Sequence, residues 1–351
     1  MSHLFKFSLI AVLSLGLMPN HTFAQDEDAD EVEEVIITGS RIKRSNLDSS
    51  KPLEIISEEA IERTGLNNIG DVLQNITSSD GSGIRPVSTS TNAGVGANEI
   101  SLRNLGAGRT LVLVDGRRWV NSGQGANGSV DINTIPTAAV ERVEVLKGPQ
   151  STLFGKNSSA GVISVTTKKH ENEFGGRIEV TGGDYGLVKL QGSVTGPLSD
   201  KTSFRISASS MTRDGYTDNL LLGTEINDRD RLAVRGPILS EVSDELTLRF
   251  IADYDEADEK CCTATHTQHG PIALGLNQIS SARQGVTTSI VNPADPYSYN
   301  VYLNQDPVAD LENYGFSLHA ELDMGGMIFK SITSYRESDH FVFGDVDFGG
   351  Y

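Results

Sequence analysis

The sequence is short of positive charge, of sulfur and of long apolar runs, and each shortage removes a class of protein. Lys and Arg number 29 against 47 Asp and Glu, a formal net charge of −18. A surface so acidic repels phosphates, which excludes a general nucleic-acid binder. Only two cysteines occur, side by side at Cys261 and Cys262, so no disulfide framework holds the fold. Beyond the extreme N-terminus nothing approaches the ~20 apolar residues of a transmembrane helix. If the chain enters a membrane it does so as a barrel, because only helices and closed sheets satisfy every backbone polar group in lipid.

What is present begins with a compartment signal. Lys6 precedes a mostly apolar run from Phe7 to Met18, and Thr22-Phe23-Ala24 supplies small residues at a cleavage position. Residues 1–24 therefore read as a secretory signal peptide. The acidic run from Gln25 to Glu34 follows, with seven carboxylates in ten residues, and is expected to be solvated.

From there the chain divides into an extension over 25–50, an α+β domain over 51–170, and a β-rich part over 171–351. In the α+β domain Ser57 is placed to cap a helix that carries Glu58 and Glu59 in its first turn and ends at Gly65. Asn68 is placed to cap a second, whose Ile69, Val72, Leu73 and Ile76 share one face. Thr110 to Val114 is a continuous apolar run closed by Asp115-Gly116, the pattern of a buried strand entering a turn. Gly, Ser, Thr and Asn dominate residues 79–98 and 121–129, which read as long surface loops.

The stretch Gly148-Pro-Gln-Ser-Thr-Leu-Phe-Gly-Lys156 invites comparison with a phosphate cradle. A P-loop needs G-x-x-x-x-G-K-[ST]. Here Gln150 occupies the first glycine position and Asn157 follows Lys156, so the tight turn and the magnesium-binding hydroxyl are both missing. The nucleotide reading fails.

After Lys169 the hydrophobic period becomes two. Leu246, Leu248, Phe250, Ala252 and Tyr254 alternate with Thr247, Arg249, Ile251, Asp253 and Asp255, and Tyr314 to Asp323 behaves in the same way. Seven such segments fall near 174–182, 186–197, 202–212, 228–237, 245–256, 312–323 and 327–337, each close to the ~10 residues of a membrane β-strand. Their connections are short on one side and long on the other, as in an outer-membrane barrel. A soluble antiparallel sandwich alternates too. Which face points inward is not written in the alternation. Seven strands do not close a barrel of even strand number, so the sequence is expected to hold the first part of a longer one.

The α+β part carries, in order, Glu34-Val-Ile-Ile-Thr-Gly-Ser-Arg41, Gly70-Asp71-Val-Leu73, Leu102-Arg103-Asn-Leu-Gly106, Leu113-Val-Asp-Gly-Arg117, Val140-Glu-Arg-Val-Glu-Val145, Gly148-Pro149, Leu153-Phe-Gly155 and Ala160-Gly-Val-Ile-Ser-Val165. In that order the motifs resemble the plug of TonB-dependent outer-membrane receptors, and the resemblance covers nearly the whole chain behind the signal peptide. It implies an α+β plug domain followed by an antiparallel transmembrane β-barrel, with about seven strands present. The implied function is energy-coupled uptake of a scarce ligand, a ferric siderophore foremost; the alternative is a truncated, non-transporting fragment that only captures ligand. The implied location is the outer membrane. The implied partners are a periplasmic TonB-type protein, outer-membrane lipid and the small-molecule ligand, for a monomer needing neither catalytic residues nor a cofactor.

By the same resemblance, Glu34, Val35, Ile36, Ile37 and Thr38 contact TonB, and strand addition suits their β-branched character; the alternative is a first buried plug strand. Arg103 and Arg142 match plug arginines that pair with barrel glutamates, which would lie in strands beyond this sequence and leave both partnerless here. The alternative is two solvated arginines, favoured for Arg142 by nearby Glu141 and Glu144. Asn104 stands where a glycine is common. The outward loops offer Arg85, Asn92, Arg117, Arg118, Trp119 and Asn121 to ligand, although Trp119, the single tryptophan, serves equally as an anchor against the wall. Cys261, Cys262, His266 and His269 form a weak metal candidate, because adjacent cysteines rarely place both sulfurs on one ion; loop cysteines or a vicinal disulfide are the favoured reading.

Overall fold

The computed structural model describes residues 53–64, 66, 68–79, 97–121, 129–263, 270–285 and 295–344. Two large sheets organise them, with a small third one beside the second, and the hydrophobic patterns of the large two are opposite in kind.

The first sheet has five strands: β1 (Leu53–Ser57), β2 (Thr110–Val114), β3 (Arg117–Arg118), β4 (Val140–Lys147) and β5 (Gly161–Thr167), in the order β1-β4-β5-β2-β3. Helices α1 (Glu58–Arg63) and α2 (Ile69–Gln74) pack against it. Both caps form as their sequences require. Ser57 accepts from the Ala60 amide at 3.3 Å, and Asn68 from the Asp71 amide at 2.7 Å, satisfying donors that the first turn leaves open. Helix α1 stops at Arg63 with Thr64 as C-cap; Gly65, expected to end it, lies outside the described residues. Ile69, Val72 and Leu73 are buried among Ile132, Val143, Val145, Ile163 and Val165, with Ile76 packed at the margin. This core is oil inside and water outside.

Strands β4 and β5 pair antiparallel, and the stretch that resembled a phosphate cradle is their connection. It carries the short helix α3 (Ser151–Phe154). At its far end Gly161 lies so close to β4 that a Cβ there would sit 2.4 Å from the Leu146 carbonyl oxygen. Only glycine permits that approach.

The second sheet has seven strands: β6 (Gly175–Gly182), β7 (Val188–Ser199), β8 (Thr202–Arg213), β11 (Arg229–Glu241), β12 (Leu246–Glu259), β14 (Val308–Asp323) and β15 (Ile328–Phe343). Sequential neighbours pair antiparallel throughout, and the sheet is open. All seven expected segments are strands. The later ones run longer than expected, 16 residues each in β14 and β15. At ~3.4 Å per residue that is about twice the ~25 Å apolar band of a membrane strand. Part of the extra length is polar: outward positions change from Phe250, Phe316 and Leu318 to Tyr254, Tyr314 and Tyr335, and then to Glu256, Glu312 and Glu337, with Phe341 and Phe343 exposed again at the end of β15. Tyr314 and Tyr335 both donate to Glu337, at 2.7 and 2.5 Å, and Tyr254 to Glu256 at 2.8 Å. An apolar belt edged by tyrosines is what a lipid boundary selects.

The facing question left by the alternation now has an answer. Ile178, Val180, Leu190, Val194, Ile206, Ile238, Phe250, Phe316 and Leu318 are exposed on the outer face. Arg205, Ser207, Arg235, Asp253, Asp255, Asn313 and Ser317 are buried on the inner one. A soluble sandwich would be built the other way round. This sheet is a barrel wall.

On the long-loop side, β9 (Thr217–Asn219), β10 (Thr224–Ile226) and β13 (Asn300–Val301) make a three-stranded sheet that joins the β8–β11 and β12–β14 connections. Ile226, Val301 and Leu303 form its small core. The latter connection also carries helix α4 (Pro271–Gln284).

Candidate functional site

The densest polar chemistry lies where the five-stranded sheet meets the wall. Asp115 and Gly116 form the two-residue turn between β2 and β3, with Val114 opposite Arg117. Asp115 has φ 49°, in the left-handed region that Asp-Gly turns tolerate. The turn aims the Asp115 carboxylate at the wall. Arg235 of β11 donates to it at 2.7 Å, Arg249 of β12 lies at 3.5 Å, and the Thr167 amide and hydroxyl donate at 3.0 and 2.8 Å.

Arg235 also donates to Asp253, its register partner on β12, at 3.0 Å. Asp253 in turn pairs with Arg336 of β15. The Arg235 side chain is 1% exposed, so this chain of charges runs through the interior. Burial pushes the Asp115 pKa upward, but Arg235, Arg249 and the Thr167 donors together hold it below the ordinary carboxylate value. Asp131 shows the opposite balance. Burial raises its pKa despite amide donors from Asn98 and Asn133 at 2.8 and 2.9 Å.

A second contact uses α1. Glu62 pairs with Arg177 of β6 at 2.5 Å, and Glu58 with Lys168 at 2.6 Å and Arg177 at 3.4 Å. In the ion pairs that cross these seams, Asp115, Glu58 and Glu62 of the inner unit meet Arg235, Arg249 and Arg177 of the wall. That polarity is the reverse of the plug-arginine, barrel-glutamate pairing expected for Arg103 and Arg142. Arg142 is not partnerless: it pairs with Glu141 at 2.6 Å and with buried Glu144 at 3.0 Å, both on its own strand. The strand places Arg142 between two carboxylates, and its single charge offsets one of them. Arg103 is exposed, and no ion pair engages it among the described residues. Its φ is 56° and that of Asn104 is 55°, which explains why this turn favours glycine and why asparagine is tolerated there.

The loop residues expected to face ligand separate. Trp119 is 5% exposed, packs in the core, and donates from Nε1 to Thr134 Oγ1 at 2.7 Å. Its ring packs as an anchor in the plug core rather than on an outward surface. The Arg336 guanidinium lies over its ring at 3.6 Å, a cation–π contact from the wall. Arg117 is buried, with its guanidinium 6.0 Å from the same ring. Arg118 is exposed but committed, donating to the carbonyls of Phe154 and Lys156 at 2.6 and 2.8 Å. Asn121 is exposed. Arg85 and Asn92 lie outside the described residues, as do Glu34, Val35, Ile36, Ile37 and Thr38.

Cys261 and Cys262 are buried and joined to each other in a disulfide, so they offer no thiolate to a metal. His266 and His269 lie outside the described residues. Among those described, no cluster of three or more His, Cys, Asp or Glu is placed to hold an ion.

Asp115, Arg235, Arg249, Asp253 and Arg336 were not anticipated as site residues. A signal for four of them exists. Their parity along β11, β12 and β15 is opposite to that of Ile238, Phe250 and Tyr335, so once the apolar face is assigned to lipid they must point inward.

Comparison with known proteins agrees with this geometry. A family model described as the TonB-dependent receptor plug domain matches residues 45–162. The vitamin B12 transporter BtuB of Photobacterium profundum is 26% identical over 250 residues, 66% of this chain and 39% of that protein. The iron-regulated outer membrane virulence protein of Vibrio cholerae is 29% identical over 228 residues, 60% of this chain and 33% of that protein. The chain thus spans 33–39% of these curated relatives. Among solved structures, the ferric yersiniabactin uptake receptor FyuA of Yersinia pestis superimposes with a TM-score of 0.62 at 16% identity, over 83% of this chain and 41% of that one. FpvA of Pseudomonas aeruginosa, in a complex with iron and pyoverdine, gives 0.63 at 18%, over 85% of this chain and 35% of that one. At such identity the structural likeness speaks to fold. With an inward-polar, outward-apolar wall packed against them, residues 45–162 are a plug domain of the TonB-dependent receptor family, to whose outer-membrane members the chain is similar.

Proposed function

We propose that this protein takes up a scarce ligand across the outer membrane, using force that a TonB-type periplasmic protein applies to the plug, and that the ligand is a ferric siderophore. The observation that carries the reading is the wall's inverted pattern together with the plug docked on its polar face. A cylinder lined with Arg235, Asp253 and Asn313 would hold a water-filled passage; a plug keyed to that lining by ion pairs keeps it shut until something moves it. Glu34 to Thr38, β-branched at four of five positions, is the segment to which a partner strand would add.

A cobalamin is the second reading, favoured by the sequence likeness to a vitamin B12 transporter. Cells carrying the full-length protein as their sole receptor separate the two when given labelled ferric siderophores and labelled cobalamin. Deleting Glu34–Thr38 is expected to abolish uptake and spare surface binding. Uptake that survives the deletion would remove the TonB-contact assignment. Surface binding without uptake in the intact protein would leave a receptor that only captures.

A further inference from the structure

Among the described residues, the ion pairs around Asp115 do not balance. Four guanidinium groups, those of Arg117, Arg235, Arg249 and Arg336, converge on this seam, and two carboxylates, those of Asp115 and Asp253, answer them. Glu141, the next carboxylate in range of Arg249, is held by Arg142 at 2.6 Å. Uncompensated charge in a closed interior is costly, and so is a buried N–H with no acceptor.

The excess has a location. Among the described residues, Nε and Nη2 of Arg117 and Nη1 of Arg336 are buried without a hydrogen-bond partner. Arg117 is 7% exposed and the Arg336 side chain 9%. Both guanidiniums lie against one indole, that of Trp119. His319 of β14 adds a further buried nitrogen, Nε2, without a partner. Gly315, opposite Arg336 in register, leaves open the space that the guanidinium fills, since a Cβ there would lie 2.8 Å from Nη2. Deprotonation does not relieve the excess. Burial and neighbouring Arg235 lower the pKa of Arg117 only to about 10, and it remains a cation at neutral pH.

We propose that Arg117 and Arg336, beside Trp119, form a buried oxyanion site between plug and wall, taking the carboxylate or phosphate oxygens that guanidinium forks bind bidentately. The oxyanion comes either from solution or from a side chain of the protein outside the described residues. In both cases it completes the charge balance that holds this part of the plug against the wall.

Trp119 reports on the site directly. Inorganic phosphate titrated into the purified full-length protein in detergent is expected to change tryptophan emission saturably if the oxyanion is free, and Trp119→Phe should remove that response. Arg117→Met and Arg336→Met should each weaken the apparent affinity about tenfold or more, the loss of a charge-assisted fork. If the oxyanion belongs to the protein, phosphate leaves the emission unchanged while Arg117→Met lowers Tm by several degrees, about 4 °C or more. Arg117→Lys, which keeps the charge without the fork, serves where the methionine variant fails to fold: it should show the same weakened phosphate affinity or, for a fixed carboxylate, a smaller loss of Tm. A wild type blind to phosphate whose Arg117→Met variant melts with it would overturn the proposal.

Discussion

Asp115 and Arg235 are 120 residues apart in sequence and 2.7 Å apart in space, and their contact joins the plug to the wall. The aspartate sits on a two-residue turn, which fixes its direction. The arginine is held from its other side by Asp253 at 3.0 Å. Each partner is therefore positioned before the contact is made.

Removing the charge at position 115 tests the joint. Asp115→Asn leaves the turn competent but strands Arg235 with one carboxylate in place of two. Breaking a buried pair in this way costs about 3 kcal/mol. The expected outcome is a lower Tm and faster proteolysis of the plug in the purified protein, with the wall's β-sheet circular dichroism retained.

Acidity should act at the same place. The folded pKa of Asp115 lies below its ordinary value, so its contribution is complete above an unfolded pKa of about 3.9 and is lost as pH falls through the lower folded value. Plug stability followed by protease susceptibility should decline at that acid extreme and change little from this group between neutral pH and pH 5. In Asp115→Asn the acid step should shrink. An unchanged step would mean that other carboxylates govern it.

The two faces of the wall should respond oppositely to charge. Phe250→Arg places a cation on the outer face, beside Phe316 and its stacked ring at 6.3 Å, at a cost of about 2–4 kcal/mol if the position lies at mid-membrane. Ser317→Asp on the polar inner face should leave insertion largely intact. Outer-membrane yield and heat-modifiable migration on gels compare them. Equal loss from both would contradict the assignment of faces.

Gly161→Ala should damage the plug by crowding. The new methyl would meet the Leu146 carbonyl and the Leu102 side chain at 2.4 and 2.7 Å, forcing β4 and β5 apart at a cost of about 1–3 kcal/mol. Lower yield and a reduced Tm are expected; a variant that melts with the wild type would show that the strands can shift to accept it.

Much of this fold was readable in advance, and the reason lies in which forces are local. The caps at Ser57 and Asn68 and the Asp115-Gly116 turn depend on a few neighbouring residues, and all three formed. The seven wall strands announced themselves by period two. The facing of those strands did not, because alternation is symmetric until the surrounding solvent is known. Trp119 shows the limit for sites: an aromatic beside two arginines reads as a ligand contact or as an anchor, and only its bond to Thr134 and its cover by Arg336 decide. Glu141 and Glu144, close to Arg142 in sequence, are its ion-pair partners in space. The Asp115–Arg235 joint joins two sequence-distant elements, and no local pattern announces it.

The small sheet of β9, β10 and β13 has a consequence of its own. Because Asp218 and Asn219 pair in parallel with Asn300 and Val301, and Asn219 also donates to the Leu303 carbonyl and to Asp306, each at 3.0 Å, two connections remote in the chain share one scaffold. Neither can lengthen, tilt or retract without carrying the other along, so whatever approaches from outside the cell meets a composite surface rather than two independent tethers.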